Sequence, residues 1–182
     1  MKKVLVPVTD GFEEIETVTI VDILRRAGVS VTLAGLQAGP LKGSRGVQIL
    51  ADAFIDEVKD DEFDLLVLPG GQPGVDNLRK DPRILEILRN RDRNKQMIGA
   101  ICAAPLALRD AGITQGRRLT SHPSIEKEFS ESRYSLDRVI VDGNFVTSRA
   151  AGTSIEFALK LVEILVGPEK ACEIAKAVLA FE

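Results

Sequence analysis

Asp64-Leu65-Leu66-Val67-Leu68 runs directly into Pro69-Gly70-Gly71-Gln72-Pro73-Gly74, and the class of fold follows from this junction. The apolar run is continuous, with no polar residue at every second place. That is the signature of a strand covered on both faces, as in a parallel sheet. Upstream, Val4-Leu5-Val6-Pro7-Val8 has the same form and stops at Thr9-Asp10-Gly11. From Glu14 the spacing becomes helical: Ile15, Val18, Val21 and Leu24 fall three apart, and Ala27-Gly28 supplies the stop. Val29 to Ala34 is β-rich, Leu36 to Gly43 is a loop, and Val47 to Leu50 reads as a short strand.

Downstream, Asp81-Pro82 is an N-cap followed by proline at the first helical position, with Ile84, Leu85 and Leu88 on one face. Gln96 to Ile101 is the next strand, and Ala104-Pro105 starts a helix just beyond Cys102. Val139-Ile140-Val141 and Phe145-Val146-Thr147 flank Asp142-Gly143-Asn144, a hairpin with suitable turn residues. Thr153 and Glu156 have capping-box spacing ahead of a helix lined by Ile155, Ala158, Leu159, Val162 and Leu165. A last helix is expected over Glu169 to Phe181. Strands alternating with helices imply one α/β domain over residues 1–182, a mostly parallel sheet between two helical layers. In such folds ligands bind beyond the C-terminal strand ends. Gly11 to Glu16, Gly70 to Gly74, Cys102 and His122 all follow expected strands and therefore gather at one rim.

Composition narrows the function. Net charge is −3 and the basic residues are scattered, whereas a nucleic-acid surface needs them concentrated. No apolar run approaches the roughly 18 residues needed to span a bilayer. The run behind Met1-Lys2-Lys3 ends at Thr9-Asp10, too short for a secretory core. Two distant cysteines make no disulfide framework, so a reducing, cytoplasmic setting is expected. One histidine and two unrelated cysteines offer no metal-ligand spacing. The Gly70–Gly74 loop has no dinucleotide or P-loop pattern.

Four places carry chemistry. Cys102 lies at a strand-to-helix transition in Gly99-Ala100-Ile101-Cys102-Ala103-Ala104-Pro105. Small flanking residues suit a nucleophile elbow, and a helix N-terminus favours a thiolate. A buried core cysteine fits the same local sequence, and it is the reading for Cys172. Glu13 and Glu14 suit the positive end of a helix dipole; Glu16, where Ile15 and Val18 flank the buried stripe, has a route inward. His122 is the sole histidine, in Ser121-His122-Pro123. The Gly70-Gly71 backbone offers N–H groups to an oxyanion.

Together these segments resemble the ThiJ/PfpI superfamily, and within it the Parkinsonism-associated deglycase branch. The matching stretches are Gly11-Phe12-Glu13-Glu14-Ile15-Glu16-Thr17, Arg25-Arg26-Ala27-Gly28, Ser44-Arg45, Val67-Leu68-Pro69-Gly70-Gly71, Ala100-Ile101-Cys102-Ala103-Ala104-Pro105, Thr120-Ser121-His122-Pro123 and Thr147-Ser148-Arg149-Ala150-Ala151-Gly152-Thr153. The resemblance implies a three-layer α/β/α sandwich, flavodoxin-like and akin to class I glutamine amidotransferases. It makes Cys102 the nucleophile and Glu16 the acid that hydrogen-bonds its sulfur. It assigns Gly71 and Ala103 as backbone donors to a bound oxygen, and His122 as an auxiliary residue. Arg26 and Arg45 match residues near a dimer interface, so a homodimer is expected.

Departures exclude two relatives. Ala103 stands where the protease-like branch has histidine, and His122 is followed by Pro123-Ser124 rather than the His-x-Glu of the amidotransferases. Gly43 and Leu50 replace thiols of the animal proteins. Two functions remain. One is a cofactor-independent enzyme on small reactive carbonyls, a glyoxalase III or a deglycase of early glycation adducts. The other is an oxidative-stress sensor or redox-regulated chaperone built on a sulfinate at Cys102.

Overall fold

The structure is a computed structural model and describes residues 1–180. In chain order its elements are β1 (Lys3–Val8), α1 (Glu14–Arg26), β2 (Ser30–Gly35), β3 (Leu41–Lys42), β4 (Gln48–Ile49), β5 (Ala53–Phe54), α2 (Ile55–Val58), β6 (Leu65–Leu68), α3 (Gly74–Leu78) and α4 (Pro82–Arg93). There follow β7 (Met97–Ile101), α5 (Pro105–Asp110), β8 (Arg118–Leu119), a 3-10 helix (Pro123–Phe129), β9 (Arg133–Tyr134), β10 (Val139–Asp142), β11 (Phe145–Ser148), a second 3-10 turn (Ala151–Thr153), α6 (Ser154–Leu165) and α7 (Pro168–Ala177).

Seven strands form the central sheet in the order β10-β11-β7-β6-β1-β2-β5. Every neighbouring pair is parallel except the β10–β11 hairpin. Alternate residues of each inner strand feed opposite cores. Val4, Val6, Val8, Leu65 and Val67 pack with α1, α6 and α7; Leu5, Leu66 and Leu68 pack with α3, α4 and α5. The continuous apolar runs exist because both faces are dry. From β1 the chain steps to β2 on one side, then returns through β6 to the other. The β1–β6 junction is therefore the switch point where loops diverge and leave a crevice. There the two loops are stitched together, Glu13 N–H donating to the Gly70 carbonyl at 3.0 Å and Gly74 N–H to that of Gly11 at 3.1 Å.

Four expectations change. Ile15 and Val18 are 57% and 52% exposed, while Glu16, Thr17, Ile20, Ile23 and Leu24 face inward. A spacing of three drifts around a 3.6-residue helix, and the polar Glu16 and Thr17 hid the true buried stripe. Ile155 is likewise exposed, and Phe157 and Leu161 fill the core instead. The Thr153–Glu156 capping box does not form: Thr153 Oγ1 accepts the Ala150 N–H at 3.1 Å, and Glu156 pairs with Arg138. Cys172 is exposed on α7 rather than buried. α7 ends at Ala177, and Phe181 lies outside the described residues. Asp81 does cap α4, accepting the Arg83 N–H at 2.9 Å. Among the described residues no helix is long and apolar enough to cross a membrane.

Candidate active site

Cys102 follows β7 with φ at +64°, in the left-handed region that costs an L-residue about 1–2 kcal/mol. The chain holds it there from both sides. Its N–H donates to the Ser148 carbonyl of β11 at 3.1 Å, and its carbonyl accepts the His122 N–H at 2.8 Å. This is the sharp strand-to-helix turn of a nucleophile elbow, with the side chain lifted off the sheet. Buried Ala103 and Ala104 let the turn pack closely.

Glu16 reaches the same point from α1. Its N–H donates at 2.7 Å to Glu13, the N-cap, and its carboxyl is fully buried. Oε2 accepts the Gly70 N–H at 2.8 Å, whereas Oε1 has no hydrogen-bond partner among the described residues. Gly70 makes the meeting possible: a Cβ there would lie 2.5 Å from Glu16 Oε2 and 2.6 Å from the Cys102 Cβ. Gly71 adopts φ of +99°, and a Cβ on it would meet the Glu13 nitrogen at 2.4 Å.

Electrostatics couple the two groups. Burial raises the Glu16 carboxyl from 4.5 to about 7, against the pull of the neighbouring Cys102 thiol and of the Gly70 N–H. Burial and the neighbouring Glu16 push the Cys102 thiol up to about 12, while the backbone N–H groups of Ala103 and Gly71 draw it down. The pair accommodates one negative charge, so a thiolate forms only when Glu16 holds the proton. The helix end expected to favour a thiolate at Cys102 is that of α5, which has only six residues. The Gly70 N–H, spent on Glu16, is not free for an oxyanion.

Glu13, Ser44, Arg45, Gly71, Gln72, Cys102, Ala103, His122, Ser124 and Ile125 line a cleft of about 350 Å³ over the elbow. His122 and Arg45 thus join Cys102, and Glu16 lies buried beneath the cleft. Arg26 does not join them; at the far end of α1 it pairs with Asp22 at 2.6 Å. Glu14, assigned by its position to the helix dipole, reaches across to the loop after β3. Its Oε1 accepts the Arg45 N–H at 2.6 Å and Oε2 the Ser44 hydroxyl at 3.1 Å, fixing the loop that carries Arg45. Burial opposes the charge, but these donors keep its pKa below the ordinary value. Nothing in the sequence marks Glu14, Gly70 or Ser124 as partners of these residues, because the contacts join loops far apart in the chain. Among the described residues no group of three or more histidine, cysteine or acidic side chains is arranged to hold a metal.

Known proteins resemble this chain over most of its length. The family model described as the DJ-1/PfpI family matches residues 2–164. Protein dj-1beta of Drosophila melanogaster is 43% identical over 181 residues, covering 98% of this chain and 97% of that protein. The glutathione-independent glyoxalase DJR-1.2 of Caenorhabditis elegans is 38% identical over 175 residues, covering 95% and 92%. The crystal structure of Drosophila melanogaster DJ-1beta superposes with a TM-score of 0.95 at 44% identity, covering 98% of this chain and 97% of that one. The structure described as Toxoplasma gondii DJ-1, oxidized, has a TM-score of 0.95 at 38% identity and covers 98% of each chain.

Proposed function

Since the chain belongs to the DJ-1/PfpI family, we propose that it is a cofactor-independent glyoxalase that converts small 2-oxoaldehydes to 2-hydroxy acids. The observation that carries this reading is the convergence of Cys102 and buried Glu16 over Gly70, with the Gly71 and Ala103 N–H groups beside the sulfur. The relative named as a glutathione-independent glyoxalase supports it.

The chemistry balances without added reductant or oxidant. With Glu16 protonated, the Cys102 thiolate adds to the aldehyde carbon, and the new C–S bond leaves an alkoxide beside the Gly71 and Ala103 N–H groups. That oxygen takes the Glu16 proton and gives a hemithioacetal. The carboxylate of Glu16 then removes the hydrogen of the former aldehyde carbon, and the electron pair shifts toward the ketone. Returning that proton to the second carbon, while the hydroxyl proton passes from the first oxygen to the second, gives a thioester of a 2-hydroxy acid. Water cleaves the thioester, releases the acid and restores the thiol. One carbon is oxidised and its neighbour reduced, so methylglyoxal plus water yields lactate. A group near pH 7 suits both halves of the proton transfer. Deglycation of an early adduct reaches the same hemithioacetal when the Cys102 sulfur displaces the adduct's amine or thiol, which leaves with a proton from Glu16, and belongs to the same proposal.

Product analysis tests this. Purified protein with methylglyoxal and no thiol cofactor should form lactate, and Cys102→Ala should form none. Methylglyoxal that persists with the parent protein refutes the enzyme reading. A second reading, a stress sensor in which Cys102 is oxidised to a sulfinate held by the same N–H groups, draws on the relative described as oxidized. It predicts peroxide-dependent oxygen addition at Cys102 in a protein without turnover.

A homodimer in the cytoplasm completes the proposal. Ile15, Val18, Asp22 and Arg26 follow the spacing of one helix face. Ile15 and Val18 there, and Val47 and Leu50 elsewhere, are exposed apolar side chains that a second copy would cover.

A further inference from the structure

His122 is the only histidine of the chain, and the structure uses its ring in an unusual way. It is the N-cap of the 3-10 helix Pro123–Phe129. Nδ1 accepts the backbone N–H of Ser124 at 3.2 Å, and the Ser124 hydroxyl lies 2.8 Å from the same nitrogen. A backbone N–H can only donate, so Nδ1 must present its lone pair. A neutral imidazole has one proton, and it is therefore on Nε2. In that state neither nitrogen is a free base: one lone pair is occupied and the other nitrogen is already protonated. The ring is also anchored beside the nucleophile, since the His122 N–H donates to the Cys102 carbonyl at 2.8 Å. Cys102, His122 and Ser124 line one cleft.

The proposed reaction has a matching need. Removing the hydrogen from the first carbon sends negative charge to the oxygen of the second. The first oxygen has the Gly71 and Ala103 N–H groups; the second requires a donor of its own. Glu13 on the cleft wall is a carboxylate and offers none. Arg45 is exposed, and its guanidinium makes one 3.5 Å contact, to the Ser44 carbonyl. The His122 ring is held at Nδ1 by two donors and is the better fixed group. We propose that His122 is a catalytic hydrogen-bond donor, its Nε2–H directed to the second oxygen of a bound 2-oxoaldehyde, and that Ser124 is the positioning residue that sets this tautomer. A neutral imidazole in that role polarises a carbonyl without transferring a proton. The inference rests on the glyoxalase reading for its substrate, but the tautomer does not depend on turnover.

Two measurements on the full chain test it. In a long-range proton–nitrogen NMR spectrum of uniformly ¹⁵N-labelled protein at pH 8, the single imidazole should show an unprotonated Nδ1 and one Nε2–H tautomer. An Nδ1–H form, or a mixture of both, overturns the assignment. Kinetics with methylglyoxal then compare His122→Gln, which keeps an N–H donor near the Nε2 position but has no imidazole base, with His122→Ala. The glutamine variant should stay within about tenfold of the parent kcat, and the alanine variant should lose the roughly 10²–10³-fold typical of a missing oxyanion donor. Alkylation of Cys102 should be unchanged in both, which reports an intact elbow. Equal losses in the two variants point to a base and refute the donor role, as does full activity in the alanine variant. A parent protein without turnover refutes the glyoxalase reading and the substrate contact together, and the spectrum then decides the tautomer alone.

Discussion

Replacing Glu16 with glutamine should make the protein more stable and less active, with a pH dependence that identifies the cause. Glu16 is fully buried, and its carboxyl titrates at about 7 in the folded chain against 4.5 for an ordinary carboxyl. Between those values the folded state holds a proton that the unfolded state has released. Stability therefore falls as pH rises from about 4.5 to 7, and the loss is complete above 7. At about 1.4 kcal/mol per tenfold preference, the charged carboxylate costs the fold about 3 kcal/mol at pH 8. Glutamine is neutral at every pH and keeps an oxygen for the Gly70 N–H that Glu16 Oε2 accepts at 2.8 Å. Every other titrating residue type is unchanged, so most of the background pH dependence cancels between parent and variant.

The advantage of Glu16→Gln should thus grow by about 2.5 kcal/mol from pH 5 to pH 8. For a chain of 182 residues, that is a widening of roughly 5–10 °C in the difference between melting temperatures. Thermal melts of both proteins at several pH values measure it. A difference that stays flat from pH 5 to 8, or a parent that is the more stable at pH 8, refutes the picture of a buried acid with a raised pKa. The same variant should lose roughly 10²–10⁴-fold in turnover of 2-oxoaldehydes, as expected when a general acid–base group is removed. Full activity would leave Glu16 as a positioning residue only.

Three further outcomes follow from the geometry. Gly70→Ala should cut methylglyoxal turnover at least a hundredfold, because the added Cβ would sit 2.5 Å from Glu16 Oε2 and 2.6 Å from the Cys102 Cβ; steady-state kinetics near parent values would contradict the close approach. In a Cys172→Ala background, needed because Cys172 is exposed, the rate of iodoacetamide labelling of Cys102 should rise with a midpoint near pH 7: the pair takes its first charge there, mostly on Glu16, and the minor form with the proton on Glu16 and the charge on sulfur grows in with it. A midpoint at or above the ordinary ~8.5 of a thiol would show that Glu16 does not share its charge with the sulfur. Light scattering should report twice the 19.8 kDa chain mass, and Val18→Glu should shift it to the monomer; a parent protein that scatters as a monomer removes the proposed interface.

The sequence by itself determined the strand order of events along the chain and most of the chemistry. The continuous apolar runs of β1 and β6 announce a sheet buried on both faces, since only a strand with no wet side needs no polar alternation. Glycines and prolines after those strands announce the rim. Asp81-Pro82 and the 139–148 hairpin are legible because caps and turns are local, decided by residues within a few positions. Helix faces were less so. In α1 a buried glutamate and threonine lie where apolar residues belong, and exposed Ile15 and Val18 imitate the inner stripe. Such a conflict between pattern and burial is expected where a polar group is kept inside for its chemistry.

The tertiary structure alone decided how those residues act on one another. Glu16 and Cys102 are 86 positions apart, and their shared charge exists because Gly70, from a third segment, has no side chain to separate them. The sequence suggested a thiolate favoured by a helix end beside an acid; the folded chain adds that burial raises both the Glu16 carboxyl and the half-buried Cys102 thiol. Likewise the pull of Glu14 on the Arg45 loop and of Ser124 on the His122 ring depends on distances that no spacing encodes. A residue type records what a group is able to do. Its pKa, tautomer and partners are set by burial and by neighbours brought in from elsewhere, and those come only with the folded chain.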